Sequence, residues 1–422
     1  MDGRSYLCID LKSFYASVEC ADRGLDPFTD WLVVADPDRG PSTICLAVTP
    51  ALKALGVPNR CRVRDIPESI DYVMARPRMR RYMQASADIY AIYLRSVSAE
   101  DVHVYSVDEC FIDATPYLTL YATDARAFAR GLMDDVFAQT GICATAGIGP
   151  NLFLAKVALD VLAKHAPDNI GELDERTFRR DMWFHTPITD IWGIGPRIAR
   201  RLERLGARDL AGVAALPPEM LYREFGANAE YLIDHAWGLE PCTIAQIHAY
   251  KPEGHSLTNS QVLPCDYDFG EARMVLREMV DASALELVEQ GLAARKVSVG
   301  VVYAQEGGAR PRSGGGCTLA APTSSTAELW RAASRLFDER TSREAPIRAL
   351  HLGIEELSPY EPAAPTLFGD ARDPEERREH ELQRAVVAVR GKFGKNAMLK
   401  GTSLQDKATA RERNEQVGGH HA

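Results

Sequence analysis

Near the N-terminus the run Tyr6-Leu7-Cys8-Ile9 is short, continuously apolar and closed by Asp10, the pattern of a buried strand that delivers one carboxylate at its end. Further on, Tyr105-Ser106-Val107-Asp108-Glu109-Cys110-Phe111-Ile112-Asp113 alternates apolar and polar residues on both sides of an acidic pair, as a half-buried hairpin does. Between them the punctuation predicts a strand at Trp31 to Ala35, a turn at Asp36 to Pro41, a strand at Thr43 to Val48 and a helix at Ala51 to Leu55 closed by Gly56. A helix from Arg78 carries apolar residues at Met79, Met83, Tyr90 and Tyr93, and a second helix, Asp124 to Ala138, precedes a strand at Ile142 to Ile148. The order reads βαββαβ, an antiparallel sheet with helices on one face. After a linker at Gln246 to Gly254 the pattern changes to strand (Ser256 to Leu263), helix (Phe269 to Glu289), strand (Lys296 to Ala304), strand (Cys317 to Ala321), helix (Thr326 to Arg340) and strand (Ile347 to Leu357). The predicted class is α+β. Gly307-Gly308 and Gly314-Gly315-Gly316 read as hairpin loops, since no helix follows them to make a phosphate cradle.

With 422 residues the chain has room for about three domains. Its nine cysteines are scattered, with no Cys-x-x-Cys pair, so neither a disulfide framework nor a zinc site is expected, and a reducing cytosol fits. Asp2 and Asp10 bracket too short an apolar run for a signal peptide, and no later stretch is long enough to span a bilayer, so a cytoplasmic protein without membrane contact is expected. The formal net charge of -10 argues against nucleic-acid binding if charge is taken as one number. The cations cluster, however, at Arg76, Arg78, Arg80 and Arg81, and again at Arg197, Arg200, Arg201 and Arg204. Modest affinity for nucleic acid, supplemented by a partner protein, is the expectation.

Asp10, Asp108 and Glu109 at strand ends suit Mg²⁺, which prefers carboxylates plus substrate phosphates. Two such ions about 4 Å apart are the usual machinery for displacing a phosphate oxygen. On its own the Asp108-Glu109 pair fits solvated turn acids equally well. The wider wording matters more: Asp10 with Ser13-Phe14-Tyr15-Ala16-Ser17-Val18-Glu19, then Ser106-Val107-Asp108-Glu109, then Ala146-Gly147-Ile148-Gly149-Pro150-Asn151-Leu152-Phe153-Leu154-Ala155-Lys156, then Ile191-Trp192-Gly193-Ile194-Gly195. In that order and spacing these resemble the Y-family DNA polymerases, the lesion-bypass class, over roughly residues 1 to 357.

The resemblance implies a right-hand polymerase: palm at 1–13 and 79–168, small fingers at 14–78, a thumb at 169–245 with a helix-hairpin-helix near 191–205, and a little finger at 250–357. It implies a low-fidelity, template-directed DNA polymerase that bypasses lesions in the DNA-damage response, acting on primer-template DNA and deoxynucleoside triphosphates. Asp10, Asp108 and Glu109 are then catalytic and hold two Mg²⁺, with Leu11 giving a backbone carbonyl. Tyr15, backed by Phe14, is similar to the steric gate under the incoming sugar. Lys164 matches the triphosphate lysine, and Lys53 stands where the family commonly has an arginine, with Pro50 in place of a tyrosine; a lysine supplies a point charge without the bidentate fork. Lys156 is expected to be structural. Gly193 and Gly195, with Arg197 and Arg200 beyond, would bring backbone N–H groups and cations to a DNA phosphate. Along that helix Ile198, Leu202 and Leu205 form the apolar stripe, leaving Arg197, Arg200, Arg201 and Arg204 outside.

From Ser358 the chain reads as a flexible tail to 422, with Pro359, Pro362 and Pro365, a charged run at Asp373 to Glu381 and a short amphipathic helix at Arg384 to Phe393. Within it Thr366-Leu367-Phe368 resembles the peptide by which bacterial members dock on the sliding clamp, although Ala364 stands where a glutamine is usual. The end, Thr402 to Ala422, is similar to that of polymerase V-like proteins of Gram-positive bacteria, and His420-His421 reads as solvated. A monomer is expected. Two other classes remain: a palm-type nucleotide cyclase, which would lack the hairpin motif, gate and little finger, and a non-catalytic DNA-binding regulatory subunit, which would lose the acids.

Overall fold

The computed structural model describes residues 3–251, 256–305, 310–361, 365–366, 369–370 and 374–421. The chain forms two compact units, one running to Tyr250 and the other from Lys251 to His421. Leu367, Phe368, Ala364, Gly307 and Gly308 lie outside the described residues.

The first unit begins with β1 (Tyr6–Leu11), α1 (Phe14–Arg23), β2 (Leu32–Val34), β3 (Ala47–Val48), α2 (Pro50–Ala54), β4 (Val73–Ala75) and α3 (Met79–Tyr93). It continues with β5 (Val102–Val104), β6 (Glu109–Asp113), α4 (Thr115–Leu120), α5 (Ala125–Thr140), β7 (Ala144–Gly149), α6 (Leu152–Val157) and β8 (Ile170–Glu172). The main sheet has the order β5-β6-β1-β7-β8, antiparallel except for the β7–β8 pair. It therefore runs past residue 168, where the sequence reading ends the palm.

Central β1 is buried on both faces. Leu7, Ile9 and Leu11 join a core with residues of α1, α3 and α5, whereas Tyr6 and Cys8 join Leu152, Ala155, Leu159 and Ala163 on the opposite side. Helices on one face only, as expected from the sequence, is thus corrected: a strand with no polar alternation before Asp10 has no face suited to water. On the second face α6 lies almost against bare backbone. A Cβ on Gly147 would stand 2.0 Å from the Ala155 carbonyl oxygen, one on Gly149 2.6 Å from the Ala155 nitrogen, and one on Gly171 of β8 2.4 Å from the Ala158 carbonyl oxygen.

Two local expectations shift. Thr43 to Val48 is strand only at its end, because Cys45 donates to the Cys61 carbonyl while Leu46 donates to that of Val34, so the segment changes partner midway. Met83 is 53% exposed, and the buried face of α3 is Tyr82, Ala85, Ile89, Ile92 and Tyr93. The stripe is set by i, i+3, i+7 and i+10 from Tyr82, one position before the methionine.

The helices α7 (Glu175–Asp181), α8 (Pro196–Arg204), α9 (Leu210–Ala215), α10 (Pro218–Phe225) and α11 (Ala229–Ala236) close a separate apolar cluster around Phe178, Leu202, Val213 and Leu232, into which Phe153 and Leu154 of α6 also reach. α12 (Ile244–Ala249) completes the unit.

The second unit contains β9 (Leu257–Tyr267), α13 (Phe269–Gln290), β10 (Leu292–Tyr303), β11 (Arg312–Thr323), α14 (Thr326–Arg340) and β12 (Ile347–Pro359), with the antiparallel order β11-β10-β12-β9. Gly314, Gly315 and Gly316 are not a loop. They lie inside β11 opposite Gly300, Val299 and Ser298, and a Cβ on Gly314 would meet the Val299 carbonyl oxygen at 2.2 Å.

The largest departure from expectation is the C-terminal region. Backbone pairs β13 (Pro365–Thr366) and β14 (Gly369–Asp370) are followed by α15 (Pro374–Phe393), about twice the expected helix, then α16 (Ala410–Asn414), β15 (Gln416–Val417) and β16 (His420–His421). This stretch is docked. Gln383 donates to the Ser324 carbonyl at 3.0 Å and to Thr326 at 2.7 Å, Lys400 pairs with Asp281 at 2.8 Å, and Arg413 donates to Gln261 and Asn259, both at 2.9 Å. Buried Glu278 of α13 accepts from the backbone of Thr409 and Ala410. The expected flexible tail is therefore corrected for residues 374–421. Its charged composition, which reads as solvated, supplies polar contacts to α13, to β9 and to the start of α14.

Candidate active site

β1 and β6 run antiparallel with Asp10 opposite Glu109, so two of the acids singled out from the sequence are cross-strand partners. Asp108 sits in the turn just before β6, where its carbonyl accepts from the Leu11 amide at 2.9 Å and its carboxylate accepts from Ser106 at 2.7 Å. Burial, together with the negative charge of Asp108, lifts the Asp10 carboxyl to about 7, while Lys164 works in the opposite direction. Like charges crowded at a strand end raise a carboxyl in this way until a cation joins them. The donor set, all hard oxygens, fits a magnesium-like ion. Among the described residues, no three acidic, histidine or cysteine side chains are already converged as a closed ion site.

Glu109 is buried, and each of its oxygens accepts one hydrogen bond and keeps a further lone pair. Lys156 of α6 donates to its Oε2 at 2.8 Å and the Cys8 thiol to its Oε1 at 3.2 Å. Burial and the charge of Glu109 push the Cys8 thiol well above its ordinary range, so it stays a proton donor. Lys156 also reaches Asp160, and Asp160 in turn accepts from Lys164 at 2.7 Å. After α6 the chain widens into a π-helical turn, Ala158–Leu162, a departure that recurs at functional sites, and a ladder Glu109, Lys156, Asp160, Lys164 results. The sequence reading left Lys156 to structure. The i, i+4 spacing of 156, 160 and 164 was the available signal; contact with Glu109 depends on how α6 crosses the sheet.

Between β1 and α1 the chain turns at Ser13, whose φ of 47° is left-handed, a strained conformation for a residue with a side chain. The Ser17 hydroxyl holds the turn by donating to the Lys12 carbonyl at 2.6 Å, and Lys53 of α2 donates to the Ser13 hydroxyl at 2.7 Å. Burial lowers the Lys53 pKa, and so do Lys164 and Lys12, while Asp10 opposes the shift. These cations therefore share one neighbourhood beside Asp10. Tyr15 faces the same region: burial and the charge of Asp108 raise its phenol, with Phe14 buried beside it at a ring separation of 5.8 Å.

The Gly193–Gly195 turn is exposed at the start of α8, and Gly193 has φ 86°. Arg197 and Arg200 lie exposed beyond it, but Arg201 turns to Glu224 at 2.7 Å and stacks over Phe225, and Arg204 also reaches Glu224. Arg197, Arg200 and Arg204 face outward as expected, and the expectation is corrected only for Arg201, which that pairing and stacking draw in. Trp192 docks the hairpin on the sheet, donating to the Tyr105 hydroxyl at 3.2 Å. Three of the first four arginines are likewise drawn into ion pairs, Arg76 on Asp38, Arg78 on Glu19 and Asp22, and Arg81 on Asp22, while Arg80 is exposed.

The sequence matches the impB/mucB/samB family over residues 9–160 and that family's C-terminal domain over residues 255–367. It is 31% identical to UvrX of Bacillus subtilis (strain 168), covering 99% of this chain and 97% of that one. It is 30% identical to DNA polymerase IV 2 of the same organism, covering 98% of each. A solved Y-family DNA polymerase chimera shares the fold with a TM-score of 0.62 at 20% identity, over 83% of this chain and 98% of that chain. No described helix is long and apolar enough to cross a membrane. With acids, lysines and fold in this arrangement, the chain belongs to the Y-family DNA polymerases, and its activity is metal-dependent, DNA-directed synthesis of DNA across lesions.

Proposed function

We propose that Asp10, Asp108 and Glu109 are the catalytic acids and that, with the Leu11 carbonyl, they hold two Mg²⁺. The observation that carries this is the Asp10–Glu109 cross-strand register beside Asp108, with the Asp10 carboxyl lifted to about 7 by burial and by the charge of Asp108. Bound magnesium supplies Lewis-acid stabilisation of the transferring phosphoryl group. The protein's part is positioning: Lys156 and Cys8 fix the Glu109 carboxylate, Ser106 fixes that of Asp108, and Lys53 and Lys164 meet the triphosphate as point charges. Tyr15, with Phe14 behind it, acts as the steric gate, a clash built against a 2′-hydroxyl. Gly193, Gly195, Arg197 and Arg200 contact the DNA backbone and carry no sequence reading.

Glu109→Ala should slow primer extension by about a thousandfold or more while primer-template affinity stays near that of the parent. Extension within tenfold of the parent would remove Glu109 from the site, and extension abolished together with DNA binding would point to lost folding instead. A monomer in the cytoplasm docks on the sliding clamp through Leu367 and Phe368, anchors of the few-residue kind. The double substitution Leu367→Ala and Phe368→Ala should abolish clamp stimulation and leave clamp-free extension intact. Equal stimulation of both proteins would place the contact elsewhere.

A further inference from the structure

A second buried carboxylate, Glu19, lies one helical turn beyond Tyr15 on α1 and takes no part in the acid cluster. It is wholly shielded from solvent. Arg78 meets it with both ends of its guanidinium, Nε to Oε1 at 2.9 Å and Nη2 to Oε2 at 3.0 Å, and Arg23 adds a further contact from one turn on. Arg78 also pairs with Asp22 at 2.7 Å, which in turn holds Arg81 at 2.7 Å. An isolated buried carboxylate is costly, so this array of cations is what lets the charge stay inside.

The charge has one further partner. The hydroxyl of Tyr82, on α3, donates to Glu19 Oε1 at 2.8 Å, and Tyr82 has no exposed surface. Its ring lies flat against that of Tyr15, with centroids 4.4 Å apart and planes 18° from parallel. Tyr15 and Glu19 are i and i+4 on α1, so one helix face presents a ring and a carboxylate, and Tyr82 fits its face to the first and its hydroxyl to the second.

A gate that works by clash is only as selective as it is stiff. A modest swing of a lone aromatic about its side-chain torsions would make room for one oxygen atom, and exclusion of the 2′-hydroxyl would fade. A ring packed flat beneath it and fastened at its far end to the buried, ion-paired Glu19 carboxylate removes that swing. We propose that Tyr82, anchored by Glu19, is the positioning residue that holds Tyr15 rigid and so sets discrimination between deoxyribose and ribose in the incoming triphosphate. The proposal rests on the reading of Tyr15 as the gate.

The test is single-nucleotide kcat/KM for a matched deoxynucleotide and its ribonucleotide, on undamaged primer-template, with the parent, Tyr15→Ala, Tyr82→Leu and Tyr82→Phe. Both nucleotides are read on one preparation, so a loss of folded protein cancels in the ratio. Tyr15→Ala should lower the deoxy-over-ribo ratio tenfold or more, Tyr82→Leu at least fivefold, and Tyr82→Phe, which keeps the stack but loses the bond to Glu19, by an intermediate two- to threefold. A Tyr82→Leu ratio within twofold of the parent, with Tyr15→Ala clearly lowered, would overturn the role of Tyr82 and leave the gate standing. A Tyr82→Phe ratio as low as that of Tyr82→Leu would overturn the stack as the restraint. An unchanged ratio in Tyr15→Ala would overturn the gate reading, and this proposal with it.

Discussion

In the first unit Glu19, Glu109 and Lys156 are among the buried side chains, in company with Leu, Ile and Phe. In the second unit the core of Val275, Leu276, Met279, Val297, Leu329, Phe337, Leu350 and Leu352 is apolar, and polar groups sit at helix ends: Asp268 and Glu271 in a capping box on α13, Ser325 capping α14, Glu278 accepting from the first backbone amides of α16. The two regions handle buried polarity in different ways. One holds buried charge against other charges; the other satisfies its buried carboxylate, Glu278, with backbone amides and otherwise relies on apolar packing and caps. A scaffold of the first kind is vulnerable to loss of a single partner, because what remains is an uncompensated ion.

The comparison is sharpest at Lys156. Lys156→Met strands Glu109 inside and should cost the first unit about 3–5 kcal/mol. Adding Glu109→Gln should recover most of that stability without restoring extension. Calorimetry with the two units' transitions resolved reads both effects, and a single substitution that leaves the first transition in place would erase the contrast between the units.

In the second unit the expected penalty is smaller and local. Arg413→Ala removes two hydrogen bonds and leaves the partly shielded Asn259 and Gln261 oxygens without that donor, a loss of about 2 kcal/mol. The C-terminal stretch from α15 to α16 should then become accessible to limited proteolysis before the sheet unfolds. Simultaneous loss of both would mean that the stretch is an integral layer and not a docked one.

The smallest effect has the opposite sign. The Asp10 carboxyl titrates at about 7 in the fold against an ordinary value of 3.8, so the protonated form is favoured by folding. The stability this contributes is fully present below the ordinary value and is lost as pH rises through about 7. Asp10→Asn should therefore stabilise the metal-free protein at pH 8 by at least about 1 kcal/mol, since every tenfold change in a proton-binding constant corresponds to about 1.4 kcal/mol, and the gain should vanish near pH 4. Thermal melts across that range check it. A destabilised variant at pH 8 would mean that the ionised carboxylate is held by partners rather than opposed by its neighbours.

The elements that could be read from the chain were those whose signal is local. Tyr6 to Asp10 announces a buried strand, Asp124 caps α5 by accepting from Ala127 at 2.7 Å, and the strand-helix order of the second unit follows its periodicity. The unread parts depend on contacts distant in sequence. Lys156 meets Glu109 across 47 positions, and Arg413 meets Gln261 across 152. No window of sequence holds both partners. The C-terminal stretch misled for a second reason, since its Arg, Glu and Gln side chains bind other polar groups, and a polar surface that docks has the same composition as one that faces water. On α3 the expected Tyr93 is buried and Met79 and Tyr90 pack against the core, but Met83, an apolar residue, points outward while Tyr82 lies within.

The glycines beneath α6 give the sheet an adjustable thickness of zero. Gly147, Gly149 and Gly171 are the floor on which the segment bearing Lys156 and Lys164 rests, and each lacks even the one carbon that would lift it. An alanine at any of them would act as a spacer, prying that segment outward and carrying Lys156 away from Glu109 and Lys164 away from the acids together. The reach of two cations is thus metered by residues with no chemistry of their own, and the bare backbone of the sheet becomes a lever on where both lysines stand relative to the acids.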